Sequence, residues 1–176
     1  MAKETLEVLF DEKAIAERVE TLGAEITKDY EGKDLLVIAI LKGSFMFFSD
    51  LLKKIDLPLE IDFMSAKSYG DATHPGEVRI VKDLDNPIEG RHILIVEDIL
   101  DTGQTLSALY KLLDVRGAAS LRTCAFLDKT ARRTVDFHAD YKGYEIPDHF
   151  VVGYGLDYAE RYRNLPYIAK LNFQDE

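Results

Sequence analysis

The hydrophobic residues near the start of the chain recur first with the period of a helix and then as a continuous run. The helical set falls at i, i+4, i+7 and i+11 and comprises Ile15, Val19, Leu22 and Ile26. This spacing predicts an amphipathic helix, which Asp11 can cap. The segment Leu35–Leu41 is apolar at every position. Such a run is typical of a strand inside a parallel sheet, where both faces are covered.

A second helix and two more strands follow this run. The helical set comprises Phe48, Leu51, Leu52 and Ile55. It again predicts an amphipathic helix. Residues 61–64 and 78–81 predict strands. Residues 68–77 lie between them and include Gly70, Pro75 and Gly76, a composition that predicts a mobile loop.

The middle of the chain shows the clearest alternation of strand and helix. Residues 92–96 predict a strand, and the helix after it ends near Gly117. The buried stripe of that helix comprises Leu106, Leu109, Tyr110 and Leu113. Residues 121–127 and 150–152 predict two further strands. This alternation favours an α/β fold with a mostly parallel sheet, and ligands bind such sheets outside the carboxyl ends of the strands.

Composition and charge narrow the classes of function. The 176 residues fit one domain, and 22 basic against 32 acidic residues give a net charge of −10. A field of that sign disfavours binding to a nucleic-acid backbone. The longest apolar run, Leu35–Leu41, is far shorter than the about 20 residues of a membrane span. The first residues lack the features of a signal peptide, and the single cysteine, Cys124, excludes an internal disulfide. We therefore expect a cytoplasmic protein.

The segment at residues 96–106 joins a predicted strand to a predicted helix and carries the strongest chemical signal. Its tail combines two threonine hydroxyls, Gly103 and the N–H groups of a helix amino terminus, which together suit an anion. Glu97, Asp98 and Asp101 would repel that anion unless ribose hydroxyls or Mg²⁺ offset their charge. The pattern thus favours a phosphorylated sugar. The alternative, a capped helix after an acidic turn, stays open on spacing alone.

A second turn of similar kind comes directly after the run Leu35–Leu41. Lys42, Gly43 and Ser44 precede the second predicted helix, so they lie at the same edge of the predicted sheet. The triplet alone is a weak signal.

With these motifs the chain resembles the type I phosphoribosyltransferase family. Residues 96–106 resemble its phosphoribosyl pyrophosphate signature, and later motifs resemble those of the purine branch, the bacterial hypoxanthine or hypoxanthine-guanine phosphoribosyltransferases. The resemblance extends from about Leu6 to Leu171. It implies one domain over residues 1–176, with a mostly parallel central sheet flanked by helices (residues 31–145) and a small hood from the N-terminal segment and residues 146–176.

The resemblance implies roles for the residues around the acidic strand end. Glu97 and Asp98 would accept hydrogen bonds from the ribose hydroxyls and help to hold Mg²⁺, and Asp101 matches the general base. The cradle for the 5′-phosphate comprises Thr102, Gly103, Gln104 and Thr105. Gln104 stands where many relatives carry Lys or Arg, so backbone donors would bind the phosphate there.

The pyrophosphate site and a lid are also implied. The residues that would bind pyrophosphate are Lys42, Gly43 and Arg163, the last bidentately. The resemblance implies a cis peptide bond before Lys42. Ser68 and Tyr69 match the start of a catalytic lid formed by residues 68–77. A lid has a physical purpose because water would intercept an oxocarbenium-like ribose.

The carboxyl-terminal third matches the base-recognition features of the purine branch. Lys129 would contact the exocyclic oxygen of the purine and thereby favour 6-oxopurines over adenine. Phe150 would stack on the base, and the backbone of Val151 would bind its edge. Asp157 would belong to the base-binding residues and also help to hold a second Mg²⁺. Without the resemblance, Lys129 would be interpreted as a solvated surface lysine.

The resemblance therefore implies an enzyme of purine salvage. It would convert hypoxanthine, and guanine as well, with phosphoribosyl pyrophosphate to IMP or GMP and pyrophosphate, as a homodimer or homotetramer that binds neither nucleic acid nor membrane. One alternative is a transferase for uracil, orotate or adenine, which Lys129 and the segment 150–157 disfavour. Another is a nucleotide-sensing RNA-binding regulator, which the net charge of −10 disfavours.

Overall fold

The computed structural model of the chain describes residues 3–69 and 77–174, and these form two sheets. The larger, six-stranded sheet is parallel except for one edge strand, β4. Its strands, in spatial order, are β4 (Glu77–Lys82), β3 (Leu59–Tyr69), β2 (Leu35–Leu41), β5 (His92–Leu100), β6 (Ser120–Asp128) and β7 (Tyr141–Glu145). The smaller sheet is antiparallel, with order β1 (Lys3–Phe10), β9 (Ile168–Gln174) and β8 (Val151–Val152).

Helices cover both faces of the larger sheet. The helices are α1 (Glu12–Asp29), α2 (Phe45–Leu52) and α3 (Gln104–Asp114), and a 3-10 turn spans Thr130–Arg132. α1 and α2 contribute to one apolar core, and α3 contributes to a second core. Residues 35–40 of β2 and 93–96 of β5 are buried and wholly apolar, as expected where both faces of a strand are covered. The predicted α/β fold with a mostly parallel sheet is confirmed.

The predicted first helix is confirmed together with its cap. The backbone N–H of Ala14 donates to Asp11 Oδ1 at 2.8 Å, which satisfies one of the free donors at the helix start. The predicted apolar face, comprising Ile15, Val19, Leu22 and Ile26, is buried.

Three predicted boundaries differ from the structure. α2 ends at Leu52, and Ile55 is buried in the turn after it. α3 ends at Asp114, ahead of Gly117, which adopts a positive φ of 81°. β5 continues past Val96 because its ladder with β6 extends to the end of that strand. Glu97 and Asp98 therefore lie on the strand and not in a connecting loop.

Three strands have no counterpart among the predicted elements. β7 extends the parallel sheet at its edge. β1, near the start of the chain, pairs with β9, near its end. β1 carries half-exposed apolar residues that alternate with charged ones, so its pattern is weak. The division into a core of residues 31–145 and a hood stays a prediction.

The structure also bears on several smaller features. Cys124 is fully buried on β6, and burial raises the pKa of its thiol above the ordinary value. No helix in the described ranges is long and apolar enough to cross a membrane.

Ser68 and Tyr69, the start of the predicted lid, end β3, and Glu77 begins β4. Residues 70–76, most of the predicted lid, lie outside the described residues.

Candidate active site

The predicted phosphate loop lies between β5 and α3. Gly103 precedes the helix with φ 85°, a conformation that glycine adopts without steric cost. A β-carbon at this position would lie 2.9 Å from Arg133 Cδ, so the loop and that arginine are in close contact. The first N–H groups of α3 lack partners within the helix and can therefore bind an anion.

The segment after β6 holds this loop in place. Arg133 Nε donates to the carbonyl oxygen of Asp101 at 3.1 Å, and the N–H of Thr134 donates to that of Thr102 at 3.0 Å. The guanidinium of Arg133 is also paired with Asp128, which is almost fully buried. The loop backbone is thus fixed by a buried ion pair that no local sequence pattern indicates.

Two side chains of the predicted phosphate cradle have neighbours from other segments. The hydroxyl of Thr105 lies 2.8 Å from that of Ser68, so the start of the predicted lid reaches the cradle. Gln104 Nε2 donates to Thr134 Oγ1 at 3.1 Å. Gln104 therefore supports the loop, and the backbone remains the available donor for phosphate.

Glu97 and Asp98 form a partly buried acidic pair at the end of β5. The N–H of Asp98 donates to Glu97 Oε1 at 3.1 Å, and the N–H of Ile99 donates to Asp98 Oδ1 at 2.8 Å. Burial raises the pKa of both carboxyls, and the charge of Asp98 raises that of Glu97 further, well above its usual range. The charge of Arg163 opposes the increase in the pKa of Asp98. The pair is therefore suited to a ligand that supplies a cation or hydroxyl donors.

Three segments of the chain meet at Gly43. A β-carbon on Gly43 would overlap the carboxylate of Asp98, and one on Gly155 would overlap the carbonyl oxygen of Gly43. The peptide bond between Leu41 and Lys42 is cis, as the resemblance implies. The two glycines thus bring the turn after β2, the end of β5 and the loop after β8 into direct contact.

Arg163 links the loop after β8 to this junction. Its Nη1 donates to the carbonyl oxygen of Gly155 at 2.8 Å, and its Nη2 lies 3.1 Å from Asp157 Oδ1 and 3.7 Å from Glu160 Oε2. Its Nε is buried without a hydrogen-bond partner. Glu160 also pairs with Lys42, with 3.1 Å between Oε2 and Nζ. Sequence reasoning identifies Lys42, Asp157 and Arg163 but misses Glu160.

Lys129 and Asp101 lie beside a group of charges near the end of β6. Lys129 is only 7% exposed, which is the opposite of a solvated surface lysine, and its Nζ lies 3.8 Å from Asp148 Oδ1. Arg132 Nε lies 2.9 Å from Asp101 Oδ1, outside good hydrogen-bond geometry, and Arg132 Nη1 lies 3.7 Å from Asp148 Oδ2. Sequence reasoning misses Arg132 because only the 3-10 turn brings it back towards Asp101.

Phe150 presents an aromatic surface next to β8. It is 48% exposed, while Val151 is buried. The ring of Tyr158 contacts Phe150 edge to face, with 5.5 Å between centroids, and also contacts Phe173 at 5.3 Å. The exposed ring is thus supported from behind and could stack on a planar ligand.

The carboxyl edge of the larger sheet therefore gathers most of the predicted site into two groups. One surrounds the loop from Asp101 to Thr105, and the other surrounds Gly43. The three predicted metal ligands are divided, since Asp157 pairs with Arg163 while Glu97 and Asp98 lie in the second half of β5. Within residues 3–69 and 77–174, no three or more His, Cys, Asp or Glu side chains form a group that could hold a metal by themselves.

Comparison with known proteins defines the class of protein to which this fold and site belong. The family model of the phosphoribosyl transferase domain matches residues 6–159. The chain therefore belongs to the phosphoribosyltransferase family. This confirms the resemblance, the fold class and the enzyme class that the sequence indicates.

Within that family, the similar proteins share one description. The hypoxanthine-guanine phosphoribosyltransferase of Bacillus subtilis is 53% identical over 97% of this chain and 96% of its own length. A crystal structure of a hypoxanthine phosphoribosyltransferase from Staphylococcus aureus matches with a TM-score of 0.92 and 54% identity, covering 94% of this chain and 91% of that one. The bifunctional protein TilS/HprT of Listeria monocytogenes is 51% identical over 97% of this chain, which spans 26% of that longer relative.

Proposed function

We propose that this protein transfers the phosphoribosyl group of phosphoribosyl pyrophosphate to hypoxanthine, and to guanine as well, giving IMP or GMP and pyrophosphate. The junction at Gly43 is the observation that carries this proposal. It sets an acidic pair between two anion-binding segments, which is the arrangement that a ribose with phosphate groups at both ends requires. The names of the similar proteins support the same substrates.

The protein residues bind the two ends of the sugar phosphate. The N–H groups at the start of α3, with Thr102, Gly103 and Thr105, bind the 5′-phosphate. Glu97 and Asp98 accept hydrogen bonds from the ribose hydroxyls. Lys42, Gly43 and Arg163 bind pyrophosphate; the buried, unpartnered Nε of Arg163 supports this role because it is a free donor in the site.

Mg²⁺ fits the acidic residues of the site. The carboxylates of Glu97 and Asp98, both with raised pKa, are oxygen ligands whose charge is poorly compensated within the chain. They would hold Mg²⁺, and Asp157 would help to hold a second Mg²⁺, with substrate phosphates and water completing the coordination. The bound ion would neutralise charge on the phosphate groups.

The remaining residues carry the transfer and select the base. The bond between C1′ and the pyrophosphate oxygen breaks, with the electron pair leaving on that oxygen. An imidazole-ring nitrogen of the purine bonds to C1′, and its proton passes to Asp101. Phe150 stacks on the base, and the Val151 backbone binds its edge. Ser68 and Tyr69, at the start of the predicted lid, help to exclude water.

Lys129 provides selection for 6-oxopurines. Its buried ammonium donates to an exocyclic oxygen, whereas the amino group of adenine cannot accept that hydrogen bond. A donor held at a buried site rejects a ligand that leaves it unpaired.

The proposed function has a direct test. The purified protein is incubated with phosphoribosyl pyrophosphate, Mg²⁺ and one radiolabelled base at a time: hypoxanthine, guanine, xanthine, adenine or uracil. We expect nucleotide from hypoxanthine and guanine, none from adenine or uracil, and loss of activity in EDTA that added Mg²⁺ restores. Full activity in EDTA would contradict the metal assignment, and product from adenine or uracil alone would contradict the function.

The cellular setting is part of the same proposal. A single buried cysteine is consistent with a reducing cytoplasm. We propose a homodimer or homotetramer, which sedimentation equilibrium of the purified protein would distinguish from a monomer.

A further inference from the structure

We propose that Glu160 is a displaceable counter-anion of the pyrophosphate site, which occupies Lys42 and Arg163 in the free protein and competes with pyrophosphate for them. This inference rests on the proposed function only for the identity of the competing anion. The chemistry it requires is that of a polyphosphate binding to two cationic side chains.

The first argument is the position of the carboxylate. Glu160 Oε2 lies 3.1 Å from Lys42 Nζ and 3.7 Å from Arg163 Nη2, so a single oxygen bridges the two cations. The same two residues are the cations proposed to bind pyrophosphate. An anionic oxygen of a ligand that engages both would therefore replace this one.

The second argument is the backbone that presents the carboxylate. Glu160 has φ 63°, its neighbour Ala159 has φ 51° and Tyr162 has φ 76°, a region of backbone conformation that residues with a β-carbon rarely adopt. The N–H of Glu160 donates to Asp157 Oδ2 at 2.9 Å, which holds the turn. A turn of unfavourable backbone conformation that presents one carboxylate to two cations indicates a functional role.

The third argument is the strength of the ion pairs. The side chains of Lys42 and Glu160 are 68% and 67% exposed, so their pair is screened by water and exchanges readily. Such a contact cannot exclude pyrophosphate, but it must be broken each time pyrophosphate binds, and it re-forms when pyrophosphate leaves. Glu160 thus weakens binding of pyrophosphate and assists its release after transfer.

The test measures binding of inorganic pyrophosphate by calorimetry with Mg²⁺ present. Two exposed or partly exposed ion pairs set the size of the effect, and we expect Glu160→Gln to lower the Kd of pyrophosphate about three- to tenfold. Binding of IMP, whose phosphate occupies the loop before α3, should change less than about twofold, since the ion pairs of Glu160 are with Lys42 and Arg163. Glu17→Gln is the matched control, because Glu17 pairs with Lys13 on α1 and loses the same charge.

Two further variants separate a charge effect from a structural one. Glu160→Gly removes the carboxylate and also favours the positive φ, so it should tighten pyrophosphate as Glu160→Gln does. In a Lys42→Met background, Glu160→Gln should gain about twofold or less, because one of its two partners is already absent. An unchanged or higher Kd in Glu160→Gln, or equal gains in both backgrounds, would overturn the proposal. Failure of the base assay would contradict the proposed function while leaving these affinities measurable.

Discussion

The two anion-binding sides of the site are held by different kinds of contact. The loop before α3 is fixed through its backbone, by hydrogen bonds from Arg133 and Thr134 to carbonyl oxygens and by the nearly buried ion pair of Arg133 with Asp128. The side around Gly43 is joined to the loop after β8 partly through exposed side chains, chiefly the pair of Lys42 with Glu160.

This difference matches what each side must do in the proposed reaction. The 5′-phosphate is present in both the substrate and the nucleotide product, so a rigid and prearranged cradle serves both. Pyrophosphate leaves in every cycle, so side-chain ion pairs that exchange with solvent and ligand suit its site. The comparison predicts that substitutions on the phosphate side affect stability strongly, whereas those on the pyrophosphate side affect mainly affinity.

The largest expected effect is on catalysis at Asp101. Asp101→Asn removes the proton acceptor but keeps the backbone carbonyl that Arg133 binds, so the phosphate loop should stay intact. We expect turnover with hypoxanthine to fall about 10²–10⁴-fold with little change in the Kd of phosphoribosyl pyrophosphate. A fall of less than about threefold would show that Asp101 is not the base. Asp148→Asn is the control, since it removes the other carboxylate near Arg132, and it should cost less than about tenfold.

The next effect tests the rigidity of the phosphate side. Among the described residues, two cations pair with the buried carboxylate of Asp128, and Arg133→Met leaves Lys142, whose Nζ lies 3.4 Å from Oδ2. We expect the free energy of unfolding to fall by about 3 kcal/mol in urea denaturation and the affinity for IMP to fall with it. Arg116→Met removes an arginine from a more exposed pair with Asp83 and should cost less than about 1 kcal/mol. Equal losses in the two variants would remove the contrast.

A substitution that stabilises the protein is expected in the acidic pair of Glu97 and Asp98, which lies between the two sides of the site. In the folded state, burial and the charge of Asp98 raise the pKa of Glu97. Above about pH 4.3 the unfolded chain has released the proton of this carboxyl, whereas the folded protein still binds it. Stability from this group therefore decreases as pH rises. Glu97→Gln should increase the free energy of unfolding of the ligand-free protein by about 1 kcal/mol at pH 7, with a smaller gain at pH 5. Thermal unfolding at both values tests the sign, and a gain that is larger at pH 5 would refute it.

The smallest stability effect is expected on the pyrophosphate side. Lys42→Met breaks only an exposed ion pair, so unfolding should change by less than about 0.5 kcal/mol. The same variant should weaken pyrophosphate about five- to tenfold, because a charge-assisted contact is lost. A stability loss comparable to that of Arg133→Met would contradict the comparison.

The sequence predicts the sheet and the site edge well because their signals are local. Continuous apolar runs identify β2 and the first half of β5, and the polar residues directly after such strands lie at one edge of a parallel sheet. The resemblance then assigns roles to individual residues, and the structure shows which residues surround them. The burial of Lys129 is one example. The residues next to it in the chain are not strongly apolar on both sides, so the local sequence does not predict that this lysine is buried.

The features that sequence reasoning misses depend on long-range partners. β1 forms only because β9, far along the chain, pairs with it. Arg132 and Arg133 acquire their roles from Asp101, far earlier in the chain: Arg132 lies beside its carboxylate and Arg133 donates to its carbonyl oxygen. Glu160 reaches Lys42 through a turn with positive φ, which no spacing of residues indicates.

Because Cys124 is buried, we expect the folded protein not to react with thiol reagents. A thiol inside the core, with its pKa raised, offers no thiolate to a maleimide, whereas the unfolded chain exposes the same atom. Because it is the only cysteine of the chain, labelling at this single position counts unfolding events directly. A second cysteine placed on the surface would likewise accept a fluorophore without competition, so the two sides of the site can be observed one at a time.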